Sequence, residues 1–154
     1  MTVCTGNICR SPMGEYLIRQ AAREAGLELE VASSGISNEE EGNPIDRRAK
    51  KVLDELNINT SSHRAKQFTR ADFDRYDLVL AMDTSHYRRL QQLAPTPQAA
   101  QKVRLMREFD PALTGQPLDE LGIYDPWYGD MSDFYETFQM IRDAVPGVIE
   151  CARG

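Results

Sequence analysis

Basic charge, histidine and cysteine are all scarce in this chain, and each shortage removes a class of function. Lys and Arg number 18 against 24 Asp and Glu, giving a net charge of −6. A nucleic-acid partner normally needs a basic face, so none is expected. Any anionic ligand must be met by a local positive site, because the global field opposes it. There are 2 His and 3 Cys (Cys4, Cys9 and Cys151), with no metal-ligand spacing between them. Neither a zinc site nor a disulfide framework fits, and no metal or cofactor is expected. Free thiols suit a reducing cytoplasm. No apolar run reaches membrane-spanning length and no apolar signal region opens the chain, so the expectation is a soluble, cytoplasmic protein without a membrane partner. Repeats, linkers and low-complexity tracts are also missing. The 154 residues are 41% hydrophobic, which suits one domain over residues 1–154 with one core. Nothing in the composition fixes an oligomeric state.

What is present is concentrated in Val3-Cys4-Thr5-Gly6-Asn7-Ile8-Cys9-Arg10-Ser11-Pro12. A strand end, a glycine-containing loop and a helix start form a cradle for an anion. Successive backbone N–H groups point inward, and the helix dipole adds partial positive charge. That field favours an anionic sulfur at the start of the loop, so Cys4 is the candidate nucleophile. Arg10 offers a planar fork matched to phosphate oxygens. Thr5, Gly6, Asn7, Ile8, Cys9 and Ser11 complete the loop.

Along the chain, apolar spacing predicts a helix from Pro12 to Gly26, with Met13, Leu17, Ala21 and Ala25 on one face. Partial alternation predicts a strand over Leu27 to Ser33, followed by a turn at Ser34-Gly35. Ser37 to Asn43 reads as a polar loop, Pro44 to Leu56 as a helix and Thr69 to Arg75 as a short helical turn. Tyr76 to Met82 is mostly apolar and suits a strand buried on both faces. Asp83 and Thr84 cap a helix to Leu93, Ala94 to Gln98 is a loop, and Lys102 to Met106 is a strand. Asp110 to Asp130 is irregular. Ser132 to Arg153 is a final helix that Pro146-Gly147 can bend. The alternation implies an α/β fold: a three-layer α/β/α sandwich around a four-stranded parallel sheet. The loop after Val3 then lies at the carboxyl end of strand 1, where such folds place their sites.

A nucleophile and a clamp still need a proton donor. Asp125, in Tyr124-Asp125-Pro126-Trp127-Tyr128-Gly129-Asp130, is the candidate. A carboxylic acid there can protonate a leaving oxygen and then deprotonate an attacking water. Pro126 holds Asp125 extended. Trp127 and Tyr128 offer flat faces for a substrate ring. Taken alone, Asp125 reads as a turn former and the two aromatics as core packing; the cysteine loop reverses that reading.

These motifs resemble the low-molecular-weight protein tyrosine phosphatases. That family carries a Cys-x-Gly-Asn-x-Cys-Arg-Ser-Pro loop near its start and an Asp-Pro-aromatic-Tyr-Gly segment near its end. Ser34-Gly35, the stretch from Gly42 to Ala49, His63-Arg64-Ala65-Lys66-Gln67 and Met82-Asp83 resemble further family segments. The resemblance implies hydrolysis of phosphotyrosine in a protein or peptide through a phosphocysteine intermediate. Cys4 would be the nucleophile, Arg10 the phosphate clamp and Asp125 the general acid and base. It further implies that Ser11 hydrogen-bonds the Cys4 sulfur and that Asn7, Ser34 and His63 form the network holding the loop. Cys9 is either a resolving thiol, forming a reversible disulfide with Cys4, or plain loop packing.

Relatives of the same fold are separated by detail. Arsenate reductases add a cysteine pair after the third strand, and none stands between Ala81 and Pro97. Protein arginine phosphatases carry threonine where Ile8 stands; an apolar Ile8 favours a phenyl ring over a guanidinium. A catalytically weak phosphate-binding module would lack the nucleophile or the acid, and both are present. Two departures from the family stand out. Glu39, Glu40 and Glu41 occupy a pocket wall where relatives place an aromatic, so basic flanking residues should be preferred in a substrate. Only Met1-Thr2-Val3 precede the loop, so the first strand is expected to be truncated, leaving its neighbours without partners and the core with a gap.

Overall fold

The computed structural model describes residues 1–154. Four strands, β1 (Thr2–Cys4), β2 (Ser33–Gly35), β3 (Val79–Ala81) and β4 (Val103–Leu105), form one sheet in the order β2-β1-β3-β4. All three pairings are parallel. The chain moves outward from β1 to β2, then returns to the other side for β3 and β4. Neighbouring loops part at the β1–β3 boundary, which is the topological switch point where such sheets bind ligands.

The expectation that a short first strand leaves its neighbours without partners and the core with a gap is corrected. β1 has three residues, as does every other strand of the sheet. Val3 pairs with Ser34 on one side and Ala81 on the other. Met1 extends the ladder, its carbonyl accepting from Leu80 N at 2.8 Å and its amino group donating to Leu78 O at 2.8 Å. The neighbours keep their partners and Val3 is fully buried.

The second strand is also displaced. Leu27 to Val31 form no ladder; instead Leu27, Leu29 and Val31 lie against the main core cluster as partly buried apolar cover. The alternation there reflects packing of an irregular segment. Pairing begins at Ser33, so Ser34-Gly35 is strand and not turn. Gly35 is required by proximity: a Cβ there would lie 2.7 Å from the carbonyl oxygen of Thr5.

Six helices flank the sheet: α1 (Arg10–Glu24), α2 (Arg47–Asp54), α3 (Asp72–Arg75), α4 (Thr84–Leu93), α5 (Pro97–Gln101) and α6 (Met131–Arg153). Residues of α1, α2 and α6 share one apolar cluster with Leu80 and Met82; residues of α3, α4 and α5 share the other with Val79 and Ala81. Alternate side chains of one strand thus feed opposite layers, completing the three-layer sandwich. Helix α1 ends where predicted, with Gly26 left-handed at φ 70° and Leu27 N returning to Ala22 O at 2.9 Å. It starts two residues early, so Arg10 and Ser11 belong to its first turn. Helix α2 starts later than Pro44 because Asp46 caps it, accepting from Arg48 N and Ala49 N. Helix α5 overlaps the end of the loop expected over Ala94 to Gln98 and fills the gap before Lys102; Thr96 caps it and Pro97 opens it. Pro146 sits inside α6 without ending it. No helix is long and apolar enough to cross a membrane.

Candidate active site

Cys4 ends β1 and Arg10 opens α1, so the five residues between them arch over the switch point. The arch is held in an otherwise unfavourable shape by Asn7, whose φ is 61°. Asn7 is fully buried and every polar atom of its side chain is used. Its Nδ2 donates to Ser11 Oγ and to Ser33 Oγ, both at 2.9 Å, and its Oδ1 accepts from Lys66 N at 3.0 Å. His63 Nε2 donates to the Asn7 carbonyl at 2.7 Å. Ser33 passes the chain on, donating to Glu15 Oε1 at 2.6 Å, and Glu15 pairs with Arg19.

Ser34, assigned to this network by resemblance, contributes differently. Its hydroxyl faces Met1 Sδ, and Ser33 takes the expected place beside Asn7. Strand geometry explains the exchange, since successive side chains point to opposite faces. The Ser34 carbonyl still matters: Ser11 Oγ lies 3.3 Å from it and 3.0 Å from Cys4 Sγ. Ser11 has one proton for two acceptors, and an ionised sulfur is the stronger one.

Backbone directions finish the cradle. Ile36 N donates to Cys4 O and Ser37 N to Thr5 O, each at 2.9 Å. In a planar trans peptide the N–H points opposite the preceding carbonyl, so the Thr5 and Gly6 N–H groups face away from β2 and toward the cavity. Arg10 is almost fully buried and aimed by its partners: Nη1 donates to Asp83 Oδ2 at 2.9 Å and to Ile123 O at 3.0 Å, and Nη2 lies 3.4 Å from Asp125 Oδ2. Burial opposes ionisation of Asp83, but His86, Ser85 and Arg10 outweigh it and hold the carboxyl at about 2.

A cavity of about 330 Å³ opens above the arch, lined by Cys4, Thr5, Gly6, Ile8, Cys9 and Arg10 below and by Glu39, Glu40, Asp125, Trp127 and Tyr128 at its mouth. Fold contacts at both ends bring Asp125 there. Ile123 N bonds Met82 O at the end of β3, and Thr137 Oγ1 of α6 donates to Tyr124 O. Beyond Asp125, Arg48 Nη1 donates to the carbonyls of Trp127 and Gly129, both at 3.2 Å. Asp125 Oδ1 accepts from Trp127 N at 3.1 Å, while Oδ2 faces Arg10. Its side chain is 53% exposed and free to reach a ligand.

A family model for low molecular weight phosphotyrosine protein phosphatase matches residues 1–152. The chain belongs to that family. A low molecular weight protein-tyrosine-phosphatase of Streptomyces coelicolor is 42% identical over 98% of this chain and 91% of that protein. Among solved structures, a protein tyrosine phosphatase from Entamoeba histolytica with Hepes in its active site superposes with a TM-score of 0.88, at 28% identity over 99% of this chain and 94% of that one. Vibrio vulnificus Wzb, solved in complex with benzylphosphonate, is 32% identical with a TM-score of 0.79, covering 97% of this chain and 94% of that one.

Of the Glu39 to Glu41 run expected on the pocket wall, Glu39 and Glu40 line the cavity and Glu41 does not. Within this family member, sequence reasoning missed Asp83, His86, Ser33, Glu15 and Arg48 as parts of the site. Asp83 carried a signal, the helix-capping pattern, but nothing in that pattern tells that its second oxygen turns to Arg10. Cys9 is a free thiol lining the same cavity as Cys4. Burial first, then the Asp46 carboxylate, push its thiol above the ordinary range, which keeps it protonated and a poor attacking group. Cys151 is free and exposed on α6.

Proposed function

We propose that the protein hydrolyses phosphotyrosine in proteins or peptides through a phosphocysteine intermediate. The observation that carries this reading is that Cys4, Arg10 and Asp125 line one cavity, with Arg10 Nη2 3.4 Å from Asp125 Oδ2. Cys4 sulfur attacks phosphorus as the bond to the phenolic oxygen breaks, and Asp125 gives that oxygen its proton. Phenol has a pKa of about 10, so an unprotonated departure is slower. Water then attacks phosphorus as Asp125 takes its proton, the sulfur–phosphorus bond breaks, and Ser11 donates to the departing sulfur 3.0 Å away. Arg10 and the inward N–H groups meet the charge on the equatorial oxygens.

Ile8, Trp127 and Tyr128 support an aryl group over a guanidinium. Trp127 is 40% exposed and Tyr128 97%; Arg48 lies over one face of the Trp127 ring, 5.4 Å from its centre, which leaves the other face and Tyr128 for a ring. The likeness to Vibrio vulnificus Wzb, solved in complex with benzylphosphonate, supports the same choice. The test compares phosphotyrosine, phosphoarginine and phosphoserine peptides with the wild type, Cys4→Ser and Asp125→Asn. Turnover of phosphotyrosine alone is expected, with none from Cys4→Ser. Asp125→Asn is expected to slow poor leaving groups by roughly 10²-fold or more and good ones far less. Preference for phosphoarginine would overturn the substrate, and equal slowing of all leaving groups would remove Asp125 from the acid role.

A further inference from the structure

The first turn of α4 touches the phosphate loop twice. Asp83 holds Arg10; the second contact is made by His86, which no catalytic step above uses. His86 is 3% exposed, and its Nε2 lies 2.8 Å from Thr5 Oγ1. Thr5 directly follows the nucleophile, is exposed and lines the cavity.

The surroundings fix the imidazole's tautomer. Nδ1 stands 3.3 Å from Asp83 Oδ1 without the alignment of a hydrogen bond. A lone pair held that close to a carboxylate would be repelled, so the proton belongs on Nδ1. Nε2 then carries the lone pair and the Thr5 hydroxyl donates to it. Burial favours the neutral ring, bringing His86 down to about 4 although Asp83 pulls the other way. Thr5 is therefore pinned from two sides: its carbonyl by Ser37 N at 2.9 Å and its hydroxyl by His86. Its own N–H and that of Gly6 have little freedom left.

We propose that His86 is a positioning residue for phosphate capture: it anchors the Thr5 hydroxyl and so fixes the first two N–H groups of the cradle. Asp83 fixes Arg10 from the same helical turn. The inference rests on the phosphatase reading of the site.

Asparagine places its amide where Nδ1 stands, whereas glutamine reaches the place of Nε2. The experiment compares His86→Asn, His86→Gln, Thr5→Val and the Thr5→Val/His86→Asn pair. It reads kcat/KM on p-nitrophenyl phosphate and on phenyl phosphate, together with binding of inorganic phosphate by calorimetry. Thr5 is exposed, so Thr5→Val reports on the contact even where a buried His86 variant folds poorly. His86→Asn and Thr5→Val are each expected to weaken phosphate binding and kcat/KM by roughly three- to tenfold, the range of one neutral hydrogen bond. Both esters should fall by the same factor, unlike the loss of an acid. The double variant should be no worse than either single one, and His86→Gln should stay within about twofold of wild type, since non-additivity marks a shared contact. Losses that multiply, a glutamine no better than asparagine, or unchanged phosphate binding in Thr5→Val would overturn the proposal. A wild type that binds phosphate but cleaves neither ester would instead defeat the phosphatase reading, leaving the calorimetric comparison to decide the role of His86.

Discussion

The two flanks of the phosphate loop are built in opposite ways. On the inner flank, one unbroken run of contacts leads from Arg19 through Glu15, Ser33, Asn7 and Ser11 to the Cys4 sulfur, with His63 bracing the Asn7 carbonyl. On the outer flank, Asp125, Trp127 and Tyr128 are held by their backbone, and their side chains stay open. The inner flank sets the shape of an anion site that must not yield. The outer flank holds groups that must meet substrates of varied outline and trade protons with them. Buried polar runs of this kind are stable only when every member is satisfied, which makes the inner flank far less tolerant of change.

Removing the centre of the inner run is the largest disturbance available. Asn7→Ala strips three side-chain hydrogen bonds and leaves Ser11, Ser33 and Lys66 N short of a partner. A loss of about 3 kcal/mol in stability is expected, with kcat/KM falling at least ~100-fold, as buried unsatisfied groups each cost about 1–3 kcal/mol. Denaturant titration and steady-state assays check both. Asn7→Gly tolerates the left-handed backbone yet should be equally impaired; wild-type activity in that variant would show that the bonds do not shape the loop.

A smaller effect is expected on the outer flank. Arg48 is bracketed by Asp46, stacks 4.4 Å from the Phe134 ring centre and ties down the carbonyls on the far side of Asp125. Arg48→Met keeps the apolar cover and loses the two donors. Turnover of phenyl phosphate should drop by about tenfold while p-nitrophenyl phosphate changes little, because only the poorer leaving group needs a well-placed acid. Equal losses on the two esters would mean that the outer flank also shapes the anion site.

Acid stability measures how far α4 shares the inner flank's rigidity. His86 falls from an ordinary 6.5 to about 4 on folding, so the unfolded chain binds the extra proton first. Stability should therefore decline as pH drops from 6.5 toward 4 and flatten below that, by on the order of 3 kcal/mol from this residue. Asp83, at about 2 in the fold against 3.8 ordinarily, adds a further loss as pH falls from 3.8 toward 2. Read as melting temperature against pH, His86→Gln should remove the first decline and shrink the second, because His86 is the largest influence holding the Asp83 carboxyl down. The smallest change concerns the rim. Glu39 and Glu40 line the cavity mouth, so peptides with basic residues beside the phosphotyrosine should be turned over a few-fold faster than acidic ones, as exposed charge pairs contribute about 0.2–1 kcal/mol. Glu39→Gln/Glu40→Gln should erase that preference; its persistence would place the selectivity elsewhere.

The inner and outer flanks also differ in how openly the chain declares them. Cys4, Arg10 and Asp125 could be read because their chemistry sits in short segments with proline and glycine fixing the backbone around them. Asn7, His63 and Ser11 were legible only through family likeness, since a buried amide and a polar surface residue look alike in a string of letters. The resemblance points to Ser34 where Ser33 meets Asn7, because which of two adjacent serines faces the loop depends on the register of a strand only three residues long. Leu27 to Val31 misled for the reverse reason: apolar residues covering a core edge imitate a strand. Asp83 and Thr84 announce a helix start correctly, yet the service of Asp83 to Arg10 and of His86 to Thr5 depends on β3 lying beside β1, which no local pattern encodes.

The left-handed Asn7, locked by its own amide, by Lys66 and by His63, has a further result for the reaction cycle. A loop that is already in its binding shape surrenders almost no conformational entropy when phosphate arrives. Substrate gains from this, but so does the free phosphate released at the end of each turnover. Competitive product inhibition is thus a by-product of the same rigidity, and its strength should rise and fall with every change that tightens or loosens Asn7.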